Sequence, residues 1–170
     1  MGRIQKLLRE EVLKLRDLMQ KTKPLAVDGN NLVEFLHDAV NKFSRETGIA
    51  ANFVADTQVV SLQPRVCREV ARIAQEALVN VRKHSSARAV VVNLGHNNNS
   101  WTMSVEDDGC GFGFEGQLAN EELMSGSQGP AVIKERVKTI NGELRIDSAP
   151  GRGSRLEIRV PLAAKAAVYG

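Results

Sequence analysis

The sequence predicts an α+β fold: a two-layer sandwich with a mixed, mainly antiparallel sheet, helices on one face of it, and a helical stub in front. Three observations carry this. Helical periodicity comes in single blocks, at 32–47, 68–86 and 130–140. Between and after them, strand patterns come in pairs, at 88–95 with 100–106 and at 142–148 with 154–161. A glycine-rich break, DDGCGFGFEG, divides the two halves. Hairpins separated by single helices form a layer pair rather than a bundle or a parallel α/β sheet.

The bulk numbers set the class. The 170 residues suit one domain with a proper core. Hydrophobic residues make up 42% and charged residues 25%, ordinary for a soluble globular chain. The net charge of +3 is spread along the chain, and neither an aromatic-basic RNA motif nor zinc-finger spacing is present, so no nucleic-acid partner is expected. Cys67 and Cys110 fit a reduced, cytoplasmic setting better than a disulfide framework. No apolar run approaches the ~20 residues of a membrane span, and no signal peptide is visible. Direct membrane contact is therefore not expected of this stretch. Met1-Gly2 running straight into a helical pattern is what a cut inside a longer protein produces.

Residues 3–22 form an amphipathic pattern, with Ile4, Leu8, Val12, Leu15 and Leu18 among Lys, Arg and Glu. Two readings stay open: a helix packed on its own domain, or half of a helical bundle whose other half lies elsewhere. Lys23-Pro24 ends it. Asp28-Gly29-Asn30-Asn31 is a turn with capping residues. The helix at 32–47 buries Leu32, Phe35, Leu36, Ala39, Val40 and Phe43, and Gly48 closes it. Residues 49–55 are a strand. A polar loop leads to the long helix at 68–86, whose apolar stripe is Val70, Ile73, Ala74, Ala77, Leu78 and Val81. Two strands follow, joined by a turn at 96–99. Trp101 and Met103 belong to the core. Periodicity is weak from the break to Gln128. The helix at 130–140 and the hairpin around Ala149-Pro150-Gly151-Arg152-Gly153 complete the fold. The tail after Leu162 is rich in small residues.

Three features carry chemistry. On the long helix, Glu76, Asn80 and Lys83 stack on a face other than the apolar one, with His84 at its edge. An acid, an amide and a base thus share one surface. Asp107-Asp108-Gly109-Cys110-Gly111 follows directly on a strand. It is either a plain acidic turn or a binding loop. In the second case its carboxylate accepts from an exocyclic amine, which adenine offers and guanine replaces with an acceptor. Gly126-Ser127-Gln128-Gly129 leads into a helix at Pro130. Backbone N–H groups at such a terminus suit phosphate, although proline supplies none.

Taken jointly, these pieces resemble the ATP-binding domain of sensor histidine kinases in the GHKL superfamily. QEALVNVRKHSSA resembles the N box, VEDDGCGFG the G1 box, and GPAVIKERVKTINGELRIDSAPGRGSRLEIRVPL the G2 region with its closing hairpin. The KH and ERV signatures resemble the subclass that pairs with helix-turn-helix response regulators. The resemblance covers about residues 28–162. It implies residues 1–24 as the end of a dimerisation helix, 25–164 as the ATP-binding domain and 165–170 as a tail. It implies ATP and Mg²⁺ as ligands, with Asn80 on the metal and Glu76 as the catalytic acid partner. Lys83 and His84 would face the phosphates, and Asp107 the adenine amine. Gly109 and Gly111 would shape the loop, Gly129 would offer its N–H to phosphate, and Ser154 would stand near Asp107. The implied chemistry is γ-phosphoryl transfer to a histidine, and the implied partners are a dimerisation and phosphoacceptor helix, a response regulator and a second copy of the parent kinase. The implied location is cytoplasmic, with a parent that could be membrane-anchored. Alternatives are an anti-sigma-factor-type serine kinase and a non-catalytic nucleotide-binding or protein-interaction module.

His37, in LHDAV, is not expected to be the acceptor, because it sits where the ATP domain begins. Three histidines at 37, 84 and 96 show no metal-ligand spacing. His96 is expected in a turn, Cys110 as a small space-filler, and Lys134, Glu135 and Arg136 on a solvated helix face, with Arg136 able to brace the lid. Ser127-Gln128-Gly129-Pro130 departs from the Gly-x-Gly-Leu usual in the subclass. Loss of one glycine and one donor predicts weakened phosphate binding, so Pro130→Leu is expected to raise ATP affinity in calorimetry. Unchanged affinity and rate would remove proline as the cause.

Overall fold

The computed structural model describes residues 24–97 and 99–162, together with Ile4, Leu8, Glu11, Val12 and Leu15. Those five positions are helical, and Ile4, Leu8 and Leu15 are 70%, 60% and 58% exposed. Most of the expected 3–22 helix, and the tail after Leu162, lie outside the described residues.

Helix α1, Leu32–Thr47, follows the expected turn. The Asn31 side chain accepts from the Asp28 N–H at 2.9 Å, and Asp28 accepts from the Asn30 N–H at 2.8 Å. Gly48 closes the helix in the left-handed region at φ 73°. Strand β1, Ala50–Ala55, leads to helix α2, Pro64–Asn80. This helix starts four residues earlier than periodicity suggests. Pro64 sits in its first turn, where a fixed φ is preorganised and a missing N–H costs nothing, and Cys67 extends the buried stripe. After Asn80 the backbone opens into a single π-helical turn, Val81–Ser85.

Strands β2 (Ala89–His96) and β3 (Ser100–Asp107) form the first hairpin. The stretch without periodicity contains two short elements the sequence did not reveal, β4 (Gly116–Leu118) and α3 (Asn120–Ser125). Three and six residues are too few to display a repeat. Helix α4, Ala131–Thr139, precedes the hairpin of β5 (Glu143–Ala149) and β6 (Gly153–Pro161). Pro130 is the residue before α4 and not its first member, so Ala131 opens the helix with its N–H intact.

The sheet has six strands in the order β1-β2-β3-β6-β5-β4. Only β1–β2 is parallel; α2 makes that crossover. Register aligns Val92, Val105, Leu156 and Ile146 in one row across the four central strands. That face is buried under α1, α2 and α4, whose inward residues include Leu36, Ile73 and Ile133, all 0% exposed. The row behind it, Val91, Glu106, Arg155 and Asp147, lies on the opposite face. There Arg155 bridges Glu106 at 3.1 Å and Glu157 at 3.0 Å. Trp101 and Met103 are core residues, 3% and 1% exposed. Two side-chain ties join α2 to α4: Arg136 pairs with Glu69 at 2.9 Å, and Arg65 donates to the Thr139 carbonyl at 3.2 Å. Arg136 thus braces the helix layer rather than the lid.

Because Ile73 is fully enclosed between helix and sheet, Ile73→Ala is expected to lose about 2–5 kcal/mol of stability in urea unfolding. Val59→Ala, at a position 59% exposed, is expected to stay within about 0.5 kcal/mol of the parent.

Candidate nucleotide site

The site is built on the end of β3. Asp107 is only 8% exposed. Its Oδ1 accepts from the Gly109 N–H at 2.9 Å, and its Oδ2 accepts from the Ser154 hydroxyl at 2.7 Å. A buried carboxylate needs such donors to offset lost hydration. Asp108, next to it, faces elsewhere. Its Oδ1 accepts from the backbone N–H of both Arg88 and Ala89 at 2.8 Å. Those two bonds, that from Ala89 first, hold its carboxyl below the ordinary range, against a smaller desolvation effect. One aspartate serves the cavity, and the other ties the start of β2 to the end of β3.

The loop beyond them docks on the helix end. A Cβ on Gly109 would overlap the Ser85 carbonyl and come within 2.7 Å of Asp107 Oδ1, so no larger residue fits. Cys110 donates its N–H to the Ser85 carbonyl at 2.7 Å and its thiol to the His84 carbonyl at 3.1 Å. Its side chain is exposed, contrary to the expected space-filler. Cys67 is the buried one, and burial pushes its thiol up to about 11. The π-helical turn is fastened by the Ser85 hydroxyl, which donates to the Val81 carbonyl at 2.8 Å. Ser86 then leaves the helix in the left-handed region at φ 53°.

These elements enclose a cavity of about 420 Å³ lined by Asn80, His84, Asp107, Gly111, Gly129 and Ser154. Six of the nine residues singled out in the sequence thus converge. Gly109 lies beneath the floor, against Ser85 and Asp107. Glu76 and Lys83 face a second groove, of about 590 Å³, between α1, α2 and α4. Gly129 closes the first cavity at φ 80°, a backbone state that glycine adopts without strain.

Phe112 and Ser148 escaped the sequence reading, and Lys134 and His96 stand in surroundings other than those expected. Phe112 lines the cavity, stacks on Phe114 at 5.8 Å, and donates its N–H to Ser148 Oγ at 2.8 Å. Ser148 is 2% exposed. A polar residue in phase with Leu144 and Ile146 was the available signal. Lys134, expected on a solvated face, is 9% exposed, and its ammonium donates to three backbone carbonyls. His96 ends β2 rather than sitting in the turn; it stacks on Trp101 at 4.8 Å and meets Asp56 at 3.3 Å.

The family described as histidine kinase-, DNA gyrase B-, and HSP90-like ATPase matches residues 66–164, which contain the whole cavity. The chain belongs to this family. Among curated relatives of this ATPase-family chain, the sensor histidine kinase LiaS of Bacillus subtilis is 31% identical over 148 residues, covering 87% of this chain and 39% of that protein. The signal transduction histidine-protein kinase/phosphatase DegS of Brevibacillus brevis is 28% identical, covering 94% of this chain and 40% of that protein. The chain therefore spans less than half the length of either. Among solved structures, the histidine kinase domain of the Erythrobacter litoralis EL346 blue-light activated histidine kinase superposes with a TM-score of 0.60 at 22% identity, over 81% of this chain and 66% of that one. The ATP binding domain of PrrB from Mycobacterium tuberculosis gives 0.60 at 18% identity, over 78% and 95%. At such identities the likeness establishes the ATPase-family fold, and the cavity of this chain has to be argued from its own residues.

Asp108 gives that scaffold a pH dependence. Its folded carboxyl ionises below its unfolded value, so its contribution is complete above the ordinary carboxylate range, about pH 4, and fades as pH falls through the folded value. Asp108→Ala is expected to lower the urea midpoint at pH 7, with the gap to the parent narrowing toward pH 3. A gap that stays constant over that range would exclude the ionised form as the cause.

Proposed function

We propose that this chain is the catalytic, ATP-binding part of a two-component sensor histidine kinase. In this reading it transfers the γ-phosphoryl group of ATP to a histidine outside residues 1–170, for relay to a response regulator. The observation that carries the reading is Asp107. Its carboxylate is buried, held by Gly109 and Ser154, and lines the cavity that Asn80, His84 and Gly129 also line.

In this reading Asp107 accepts from the adenine amine, and the Ser154 hydroxyl fixes its rotamer. The loop at Gly109 and Gly111 lets the base approach the backbone. His84 and the Gly129 N–H meet the phosphates at the opposite end. Among the described residues no three His, Cys, Asp or Glu side chains gather as a metal cluster. A donor set of one Asn80 amide oxygen with phosphate oxygens and water fits Mg²⁺, which takes few protein ligands at nucleotide sites. When bound there, the ion would neutralise charge developing on the phosphates. Glu76 and Lys83 open on the neighbouring groove, one side of α2 away from the cavity, where an incoming imidazole would arrive. Glu76 would accept the proton the imidazole loses, as the γ-phosphorus–oxygen bond to ADP breaks and a phosphorus–nitrogen bond forms. Lys83 lines the same groove and would meet the incoming acceptor helix.

Residues 1–24 are then the end of a dimerisation helix, supported by the exposed apolar positions Ile4, Leu8 and Leu15. Residues 25–164 are the ATP-binding domain and 165–170 a tail. The parent acts as a homodimer, and the part described here works in the cytoplasm; among the described residues no helix is long and apolar enough to cross a membrane. Pro130 favours a second reading, a nucleotide-binding module without transfer, because it offers no N–H beside Gly129.

Calorimetry with ATP and GTP tests the first reading. The parent chain is expected to prefer ATP, and Asp107→Asn, which keeps the volume but adds a donor, is expected to lose that preference by about tenfold or more. A chain binding neither nucleotide would overturn the assignment. Labelled ATP with a supplied acceptor helix separates the two readings: transfer to its histidine supports the kinase, and binding without transfer supports the module. Label on His37 would contradict an external acceptor.

A further inference from the structure

Lys134 is the most enclosed lysine among the described residues. It stands on α4, and its Nζ lies 3.0 Å from the Leu123 carbonyl, 2.9 Å from that of Gly126 and 3.0 Å from that of Gln128. An ammonium carries three donors, and all three are used. The acceptors have a common origin. Leu123 lies in α3, Gly126 follows that helix, and Gln128 is the residue before Gly129. The last carbonyls of a helix have no partner within it, so the bond to Leu123 caps the end of α3, and the other two bonds hold the chain that leaves it. Each bond is charge-assisted and therefore stronger than an amide pair. Together they offset the burial of the charge.

The consequence falls on Gly129. This residue is attached directly to the Gln128 carbonyl carbon, has φ 80°, and leaves only 3.2 Å between a would-be Cβ and the side chains of Ile146 and Leu123. Its backbone N–H can keep one direction only if the peptide joining it to Gln128 keeps one direction, and that peptide's oxygen is held by Lys134. The base end of the cavity is held by other means. Asp107, Ser154 and Gly109 are fixed by one another and by Ser85, and none of them touches Lys134.

We propose that Lys134 is a positioning residue for the phosphate end of the nucleotide cavity: it clamps residues 123–128 so that Gly129 presents its N–H to the phosphates, without touching the nucleotide itself. The proposal rests on the ATP reading above. It separates two halves of one ligand. Loss of the ammonium loosens the grip on phosphate and leaves the grip on the base intact.

The test compares ATP with adenosine by calorimetry on the full chain and on Lys134→Met, which keeps the length and apolar stem and removes the charge. The expected result is about tenfold or more weaker ATP binding, the scale of losing one hydrogen bond to a charged phosphate, with adenosine affinity within about twofold. Amide hydrogen exchange over residues 123–129 is expected to quicken in the same variant. Equal losses for ATP and adenosine would show a general structural role and overturn the proposal; unchanged ATP affinity would overturn it too. If circular dichroism shows Lys134→Met unfolded, Lys134→Gln, with an amide donor for part of the cradle, takes its place in the same comparison, and the same two outcomes overturn the proposal. A parent chain that binds no ATP overturns the site reading and this proposal together. A parent that binds ATP beside an indifferent variant overturns this proposal alone.

Discussion

A carboxylate in a place that is 8% exposed dictates what surrounds it. Asp107 has to be given donors where water cannot reach freely. One comes from the chain two residues on, at Gly109, and the other from Ser154, forty-seven positions away on the neighbouring strand. The first bond bends the chain out of β3 and onto the end of α2. The second ties the first hairpin to the last one. Gly109 can be nothing larger, because Ser85 already occupies the space. The neighbouring Asp108 repeats the device outward and pins β2. Loop, helix end and three strands are thereby set by two adjacent side chains.

The π-helical turn at Val81–Ser85 has a distinct task. α2 and the π-helical turn that follows it lie between the two depressions, and their polar residues divide between them. Asn80 and His84 line one, while Glu76 and Lys83 line the other. The wider turn carries the backbone out of the regular helix just where the loop from β3 arrives to meet the carbonyls of His84 and Ser85. Irregular helical turns of this kind recur at working surfaces, and here the irregularity both receives the loop and separates the two depressions.

Most of the sheet and its three covering helices were legible because their signals are local. Alternation placed Val90, Val92 and Leu94, and helical spacing placed Ile73, Ala74 and Ala77. The cavity residues were legible through the resemblance of the boxes, and six of those singled out do meet. What stayed hidden depends on partners far along the chain. Lys134 flanks Ile133 at the edge of an apolar stripe, where periodicity reads solvent, and only the folded 120–128 segment covers it. β4 and α3 are too short for any period to show. The start of α2 was masked because Pro64 reads first as a breaker and only second as a first-turn residue. Glu76 and Lys83 share a helix face with Asn80 in projection, yet the division of α2 between two depressions is decided by what packs on either side.

The pairing of β3 with β6 also governs the order in which this chain can come together during synthesis. β3 has β2 beside it almost at once, but its other neighbour is the last strand of the sheet. While the intervening residues are being made, a central strand carrying Trp101, Met103 and Val105 has one bare ladder edge. The polar residues along its outer face, Thr102, Ser104 and Glu106, keep that unfinished edge from being apolar on both sides. The strand that finally covers it also brings the hydroxyl to Asp107. The strand that completes the sheet therefore also completes the donor set of Asp107.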